Sequence, residues 1–308
     1  MPFSFHANTL AFGGQFEKAR SKRKLLPSQA SVALPQEGGF GESTVSDYSE
    51  GGISFFRAES RVYGNSFRNR LFKTYANVTI YGLDIAGILQ VDVLSATITS
   101  INRRQGDCPS ESQISFDANV VGLVINGVPY DVELDTAPFL KYGTLTDFIN
   151  SYDGVSDADI ELAAATHNWA LAACHTQTAQ GRINHAPKGC QNGIRATIVR
   201  DIKPAFAGQA PKLSRTGFTL EVPGLGLVHL GEALLTTGRR TINMIRIDPA
   251  MTLDDPVIDP APPAINATGL RALALAENEA ESDSLTDSDD YTVTVCNLTG
   301  NGTDFGNP

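Results

Sequence analysis

The sequence predicts a mainly β chain: an antiparallel β-sandwich, Ig-like or Greek-key, with one inserted α-helix. Three observations predict it. Apolar and polar residues alternate with period two in several separate runs, as a half-buried strand requires. Gly, Pro and Asn-Gly turn chemistry parts those runs. One Ala-rich segment, 160–180, holds neither Gly nor Pro and repeats its apolar residues at helical spacing.

Taken in order, residues 1–52 read as an N-terminal strand and a turn-rich loop. Phe3, Phe5 and Ala7 fall on one side of an alternating stretch. Residues 17–24 carry five bases and read as a solvated loop, although Arg20 to Arg23 also has the look of a dibasic processing site. Pro35, Gly38, Gly39, Gly41, Gly51 and Gly52 then mark turns. Residues 53–248 read as the sandwich core. Runs at 53–58, 71–81 and 89–101 are strand-like, the last two rich in β-branched residues at period two. Asn126-Gly127 between two apolar runs supplies the positive-φ pair of a type I′ hairpin turn. Residues 136–192 interrupt this pattern as a helical insertion. Within it Ile160, Ala164, His167, Leu171 and Cys174 share one face of a helix at 157–180, which Gly181 stops. Strands resume at 194–202, 218–222, 227–230 and 241–247. Residues 249–290 have the Pro-rich, acidic composition of a linker. Residues 291–308 end the sequence with a strand segment whose Tyr291, Val293 and Val295 form an apolar side.

The 308 residues carry 24 bases against 34 acids, a formal charge of −10, and 42 % are hydrophobic. A core can be buried, and the acidic balance argues against a nucleic-acid partner. No run approaches the ~18 apolar residues of a membrane-spanning helix, so no membrane span is expected.

Four cysteines, none in a C-x-x-C pair, suit two disulfides better than a thiolate metal site. Cys174 with Cys190 would close a short loop and leave Cys108 with Cys296. Asn77, Asn266, Asn297 and Asn301 each begin an N-x-[ST] sequon. Cysteine parity and sequons together point to an extracellular or cell-surface glycoprotein. The first residues do not read as a signal peptide, so the expectation is either that a leader has been removed or that the start is misassigned.

Short stretches resemble the choice-of-anchor P family of secreted bacterial surface proteins. They are 74–83 (TYANVTIYGL), 88–96 (ILQVDVLSA), 121–129 (VGLVINGVP), 222–228 (VPGLGLV) and 241–245 (TINMI). The resemblance implies a secreted or surface β-protein without established catalysis. Residues 136–192, the acidic linker and the C-terminus fall outside it.

No constellation of residues predicts an enzyme, a metal or a cofactor. His167 and His175 are eight apart, about 12 Å of helical rise and roughly 80° of rotation, so they cannot share a metal from one helix. Adding His185 to one of them does not complete a site. No G-x-S-x-G elbow is present, and Cys174 and His175 point from different helix faces. Asp131, Glu133 and Asp135 alternate along one strand and read as protective charges on an edge. The acids of 277–290 lack a calcium-loop pattern, and Trp169 reads as core. The remaining signal is the last strand, tethered by a long acidic linker. Such a strand can complete its own sheet or a neighbour's. The expected function is therefore an extracellular structural protein that self-assembles into fibrils by terminal-strand exchange. The chain itself is the expected partner, and residues 3–7 are a second candidate donor. The alternative is a monomeric binding module for glycans or a surface protein.

Overall fold

In the computed structural model the described residues are 3–17, 24–68, 70–105, 108–109, 112–141, 193–206, 214–216, 219–236, 239–249 and 290–301. They form β1 (Asn8–Glu17), β2 (Lys24–Gln29), β3 (Val32–Ala33), β4 (Gly39–Glu50), β5 (Ile53–Phe67), β6 (Leu71–Ile85), β7 (Leu89–Gln105), β8 (Cys108–Pro109), β9 (Gln113–Val121), β10 (Leu123–Ile125) and β11 (Val128–Leu134). A helix of one turn, α1 (Ala137–Lys141), precedes β12 (Gly193–Thr197), β13 (Val199–Pro204), β14 (Ser214–Thr216), β15 (Thr219–Val222), β16 (Gly226–Thr236), β17 (Arg239–Asp248) and β18 (Asp290–Asn301).

Two nine-stranded sheets pack face to face, and every strand pairing among the described residues is antiparallel. The first, here the meander sheet, runs β4-β5-β6-β7, then β9 and β10 end to end, then β11 and β13, with β8 beside the end of β7. The second, the terminal sheet, runs β14-β15-β16-β17-β18-β1-β2, with β12 beside β16 and β3 beside β1. The antiparallel β-sandwich expected from the sequence is therefore present at the level of two packed sheets.

The strong period-two runs are the best-paired strands. In β6, Phe72, Thr74, Ala76, Val78 and Ile80 point into the core and their neighbours point out. Asn126 and Gly127 adopt φ of 50° and 74°, as the hairpin turn between β10 and β11 requires.

Several expectations are corrected. The turn-rich loop assigned within 1–52 contains β4, a 12-residue edge strand. Apart from Phe40 its outward residues are polar or glycine, and glycines flank it, so alternation did not mark it as a strand. The single run expected at 194–202 is two strands in different sheets. Ile198 marks the crossing: its N–H donates to Gly231 O at 2.8 Å in one sheet, while Asp135 N–H donates to its carbonyl at 2.7 Å in the other. The start of the 136–192 insertion holds α1, a single turn that precedes the helix expected at 157–180. The Asp135 carboxylate accepts from Ala137 N–H at 3.0 Å, and Phe139 buries edge-on against Phe116. The helix expected at 157–180 lies outside the described residues, as does the acidic linker from 250 to 289. Asp131 and Glu133 pair with Lys203 and Asp201 of β13 on one side, and the pairing with β10 on the other side ends at Tyr130.

Candidate assembly site

β18 is the last strand in the sequence, yet it sits inside the terminal sheet with β1 on one side and β17 on the other. Tyr291, Val293, Val295, Cys296 and Leu298 face the core, each 4 % exposed or less, while Thr292, Thr294, Asn297 and Thr299 face outward. The strand lies across β6 and β7 of the opposite sheet. Tyr291 stacks on Phe16 of β1 at 6.3 Å, and a Cβ on Gly14 would lie 2.3 Å from Thr292 O. β1 and β18 thus approach more closely at Gly14 than any larger residue would allow.

A kink runs across both sheets. In the terminal sheet, pairing registers align Gly231, Met244, Cys296, Ala11 and Ala30 in one row. Every second member is left-handed: Gly231 at φ 60°, Cys296 at 50° and Ala30 at 44°. One such residue shifts the inside-outside alternation of its strand by one position without shifting the pairing. Val295 and Cys296 are consequently both buried, as are Ala11 with Phe12 and Met244 with Ile245. The meander sheet carries a matching row, Asp47, Phe56, Gly82, Asp92 and Gly122, with Asp47, Gly82 and Gly122 left-handed. There the doubled residues are exposed, Phe56 with Arg57 and Tyr81 with Gly82. The doubled residues of one row turn inward and those of the other outward, and Cys296 Sγ reaches the opposite sheet by donating to Leu94 O of β7 at 3.6 Å.

A polar relay covers the outer side of the terminal sheet. Thr219 Oγ1 meets His229 Nδ1 at 2.9 Å, and His229 Nε2 donates to Asp248 at 3.1 Å. Arg246 binds Asp248 and also holds both Glu232 oxygens, at 2.9 and 3.2 Å. Asn243 Nδ2 donates to Glu232 at 3.2 Å, and Asn297 Nδ2 of β18 donates to Asn243 Oδ1. The relay links four adjacent strands, β15 to β18. Its two deepest members, His229 and Glu232, are 8 % and 6 % exposed.

Burial alone would raise the Asp248 carboxyl pKa. The His229 hydrogen bond and the Arg246 charge outweigh it and hold the pKa below the ordinary 3.8. A carboxylate depressed in the folded state stabilises fully above its unfolded pKa and loses that contribution as pH falls toward the folded one. Thermal melts should therefore lose stability below about pH 4. Asp248→Asn should be less stable at pH 7 and show less of that acid loss.

Burial pushes the Cys296 thiol well above its ordinary range, which leaves little thiolate at neutral pH. Native protein treated with iodoacetamide at pH 8 should keep Cys296 unmodified, whereas protein in urea should be alkylated there. Mass mapping of that peptide checks both. Rapid native alkylation would show that β18 leaves the sheet on the reaction time scale.

The other expected site residues fall as follows. Phe3, Phe5 and Ala7 are core residues of this chain. Phe3 stacks on Phe72 at 4.2 Å, Phe5 N–H donates to Gln36 O, and Leu34 N–H donates to Ala7 O. Cys296 is a free buried thiol, so the Cys108–Cys296 pairing is not formed; the inward turn of the kinked strand carries its sulfur into the core. Cys174, Cys190, Asn266, His167, His175, His185 and Trp169 lie outside the described residues. Asn77 donates to Ala96 O and Thr97 Oγ1, so a glycan on it would displace one of these bonds. A glycan on Asn297 would share the amide that meets Asn243. Asn301 ends β18. The sequence reading missed the relay residues Thr219, His229, Glu232, Asn243, Arg246 and Asp248. Polar residues set among the apolar ones of β16 and β17 were the available signal.

Two further features complete the surface and interior. On the outer face of the meander sheet, Phe40, Tyr63 and Tyr75 stand directly opposite one another on β4, β5 and β6. Phe40 is 59 % and Tyr63 37 % exposed. Between the sheets, an apolar cavity of about 10 Å³ beside Leu94, Leu230 and Met244 is too small for a ligand. Among the described residues no cluster of His, Cys, Asp and Glu is placed to hold a metal ion, and no helix is long and apolar enough to cross a membrane.

Residues 3–236 match one family model, described as a domain of unknown function (DUF8256). No match is found among curated proteins or solved structures.

Proposed function

The chain belongs to the DUF8256 family, and on that premise we propose that it is an extracellular structural protein whose copies assemble by exchanging β18. The observation that carries this reading is the inner position of the last strand. β18 supplies backbone pairing to two neighbours and an apolar row to the core, the two things that strand addition provides. Tether length favours β18 over β1 as the exchanged element. The residues between β17 and β18 number roughly 40, a contour of about 130 Å at full extension, so a neighbour's cleft and the chain's own are both within reach. The residues between β1 and β2, 18–23, span only about 20 Å. Repeated in one direction, such a contact does not close and builds a filament. Extracellular location and the choice-of-anchor P resemblance belong to the same proposal and rest on the sequence.

The test mixes two full-length variants, Gln15→Cys and Thr292→Cys, whose positions face each other across β1 and β18. Each chain holds one half of the pair, so a 15–292 disulfide that outruns the 15–15 and 292–292 links given by collision of surface thiols reports β18 of one copy beside β1 of another. Co-refolded or concentrated mixtures should give linked dimers and longer species, with filaments in negative stain. A mixture that stays monomeric and gives no such linkage at any concentration sinks the reading.

The aromatic row favours a second reading, a glycan-binding module. The exposed Phe40 and Tyr63 and the half-buried Tyr75 lie beside the polar Asn77, Thr97 and Thr99, a pairing of aromatic and hydrogen-bonding groups suited to sugar rings. Co-sedimentation with insoluble polysaccharide, lost in Tyr63→Ala, supports it; no binding by wild type removes it.

A further inference from the structure

We infer that Asn297 is the specificity-determining residue of β18: it fixes the register in which the strand is accepted, whether by its own sheet or by another copy's. The inference rests on strand exchange only for its second half. Asn243 Nδ2 is committed to Glu232, whose other contacts hold it to Arg246, so the Asn243 carbonyl oxygen is the acceptor the cleft offers to an incoming strand. Asn297 Nδ2 supplies the donor. On the other flank Asn297 faces Leu10, which offers no side-chain hydrogen bond, so the polar demand comes from β17 alone.

Shifted registers fail in different ways. A one-residue slip turns the apolar row of β18 to solvent. A two-residue slip in one direction sets Val295 against Asn243, leaving the carbonyl without a donor. In the other direction it sets Thr299 there, but then another residue must take the left-handed place of Cys296 in the kinked row. Leu298 or Thr294 would occupy that place, and neither side chain accepts it readily, Thr294 least of all because it is β-branched. The kink and the amide together thus exclude the slips that the apolar pattern alone allows.

The experiment uses full-length chains carrying cysteine pairs. Gln15→Cys with Thr292→Cys reports the native register, and Gln15→Cys with Thr294→Cys reports a two-residue slip. With Asn297 present, the first pair should oxidise at least tenfold faster than the second. Asn297→Leu should cut that ratio several-fold, and Asn297→Thr, which keeps a donor, should hold it. Should the Leu chain not fold, Asn297→Ala against Asn297→Ser makes the same comparison. An unchanged ratio in the variants lacking a donor, or an equal fall in those keeping one, overturns the inference. Linkage within one chain and between chains reports register alike, so the result does not depend on whether copies exchange strands. The mixed-copy experiment above decides that separately.

Discussion

A chain lacking residues 290–308 is expected to yield no stable folded monomer. Tyr291, Val293, Val295 and Leu298 bury almost completely, and at about 1.5–3 kcal/mol for each large side chain their loss removes roughly 6–12 kcal/mol, an upper bound because unfolded chains are not fully extended. That is comparable with the whole stability of a typical domain, about 5–15 kcal/mol. The truncation also strips the pairing partner from facing edges of β1 and β17, which invites association. Size-exclusion chromatography and circular dichroism should show aggregate or unfolded chain. A soluble monomer melting at the wild-type temperature would refute both the central role of β18 and the assembly proposal built on it.

The second large effect is expected at Gly231. Its φ of 60° lies in the left-handed region, and a Cβ there would sit 2.7 Å from Ile198 Cγ1 and 3.0 Å from Val199 Cγ2. Those contacts come from the segment where the chain crosses between sheets, so the neighbours are fixed from both sides. The left-handed conformation costs about 1–2 kcal/mol for an ordinary residue and overpacking typically adds 1–3. Gly231→Val, β-branched as well, should destabilise by roughly 3–5 kcal/mol, read as a fall in the urea midpoint. Gly127→Ala makes the comparison: its φ of 74° is also left-handed but nothing lies within 4 Å of a Cβ there, so its cost should stay near the backbone value alone.

Much of the meander sheet was legible because its strands are long, β-branched and buried on one face. Val78 and Ile80, or Leu94, Ala96 and Ile98, carry the period directly. What escaped was whatever depends on pairing partners rather than local order. β4 is an edge strand with little apolar surface to alternate. β12 and β13 share one continuous pattern, and nothing local states that Ile198 changes sheets. In β18 the apolar side seemed to end at Val295, with Cys296 an exception on the polar side. The left-handed Cys296 reverses the alternation, and the strand continues through Leu298 to Asn301. The relay joins residues from 219 to 297, so no spacing within one strand could reveal it. The apolar sides expected at both ends are buried in this chain's own core, Phe3 and Phe5 as well as Tyr291, Val293 and Val295.

The inner place of β18 also orders events in time. During synthesis β1 emerges first and its inner neighbour last, after every other strand of both sheets. Translation at about 5–20 residues per second leaves β17 and β1 facing an unfilled gap for seconds while the acidic stretch is made. Pairing Asn8 with Thr299 then closes a loop of nearly the whole sequence, the kind of long-range contact that forms slowly. A nascent or refolding chain therefore dwells with its cleft open, and crowding by other copies during that dwell decides whose strand arrives first. Fast dilution should favour self-closure and slow refolding at high concentration should favour exchange, which makes the assembly state a record of how the protein was made.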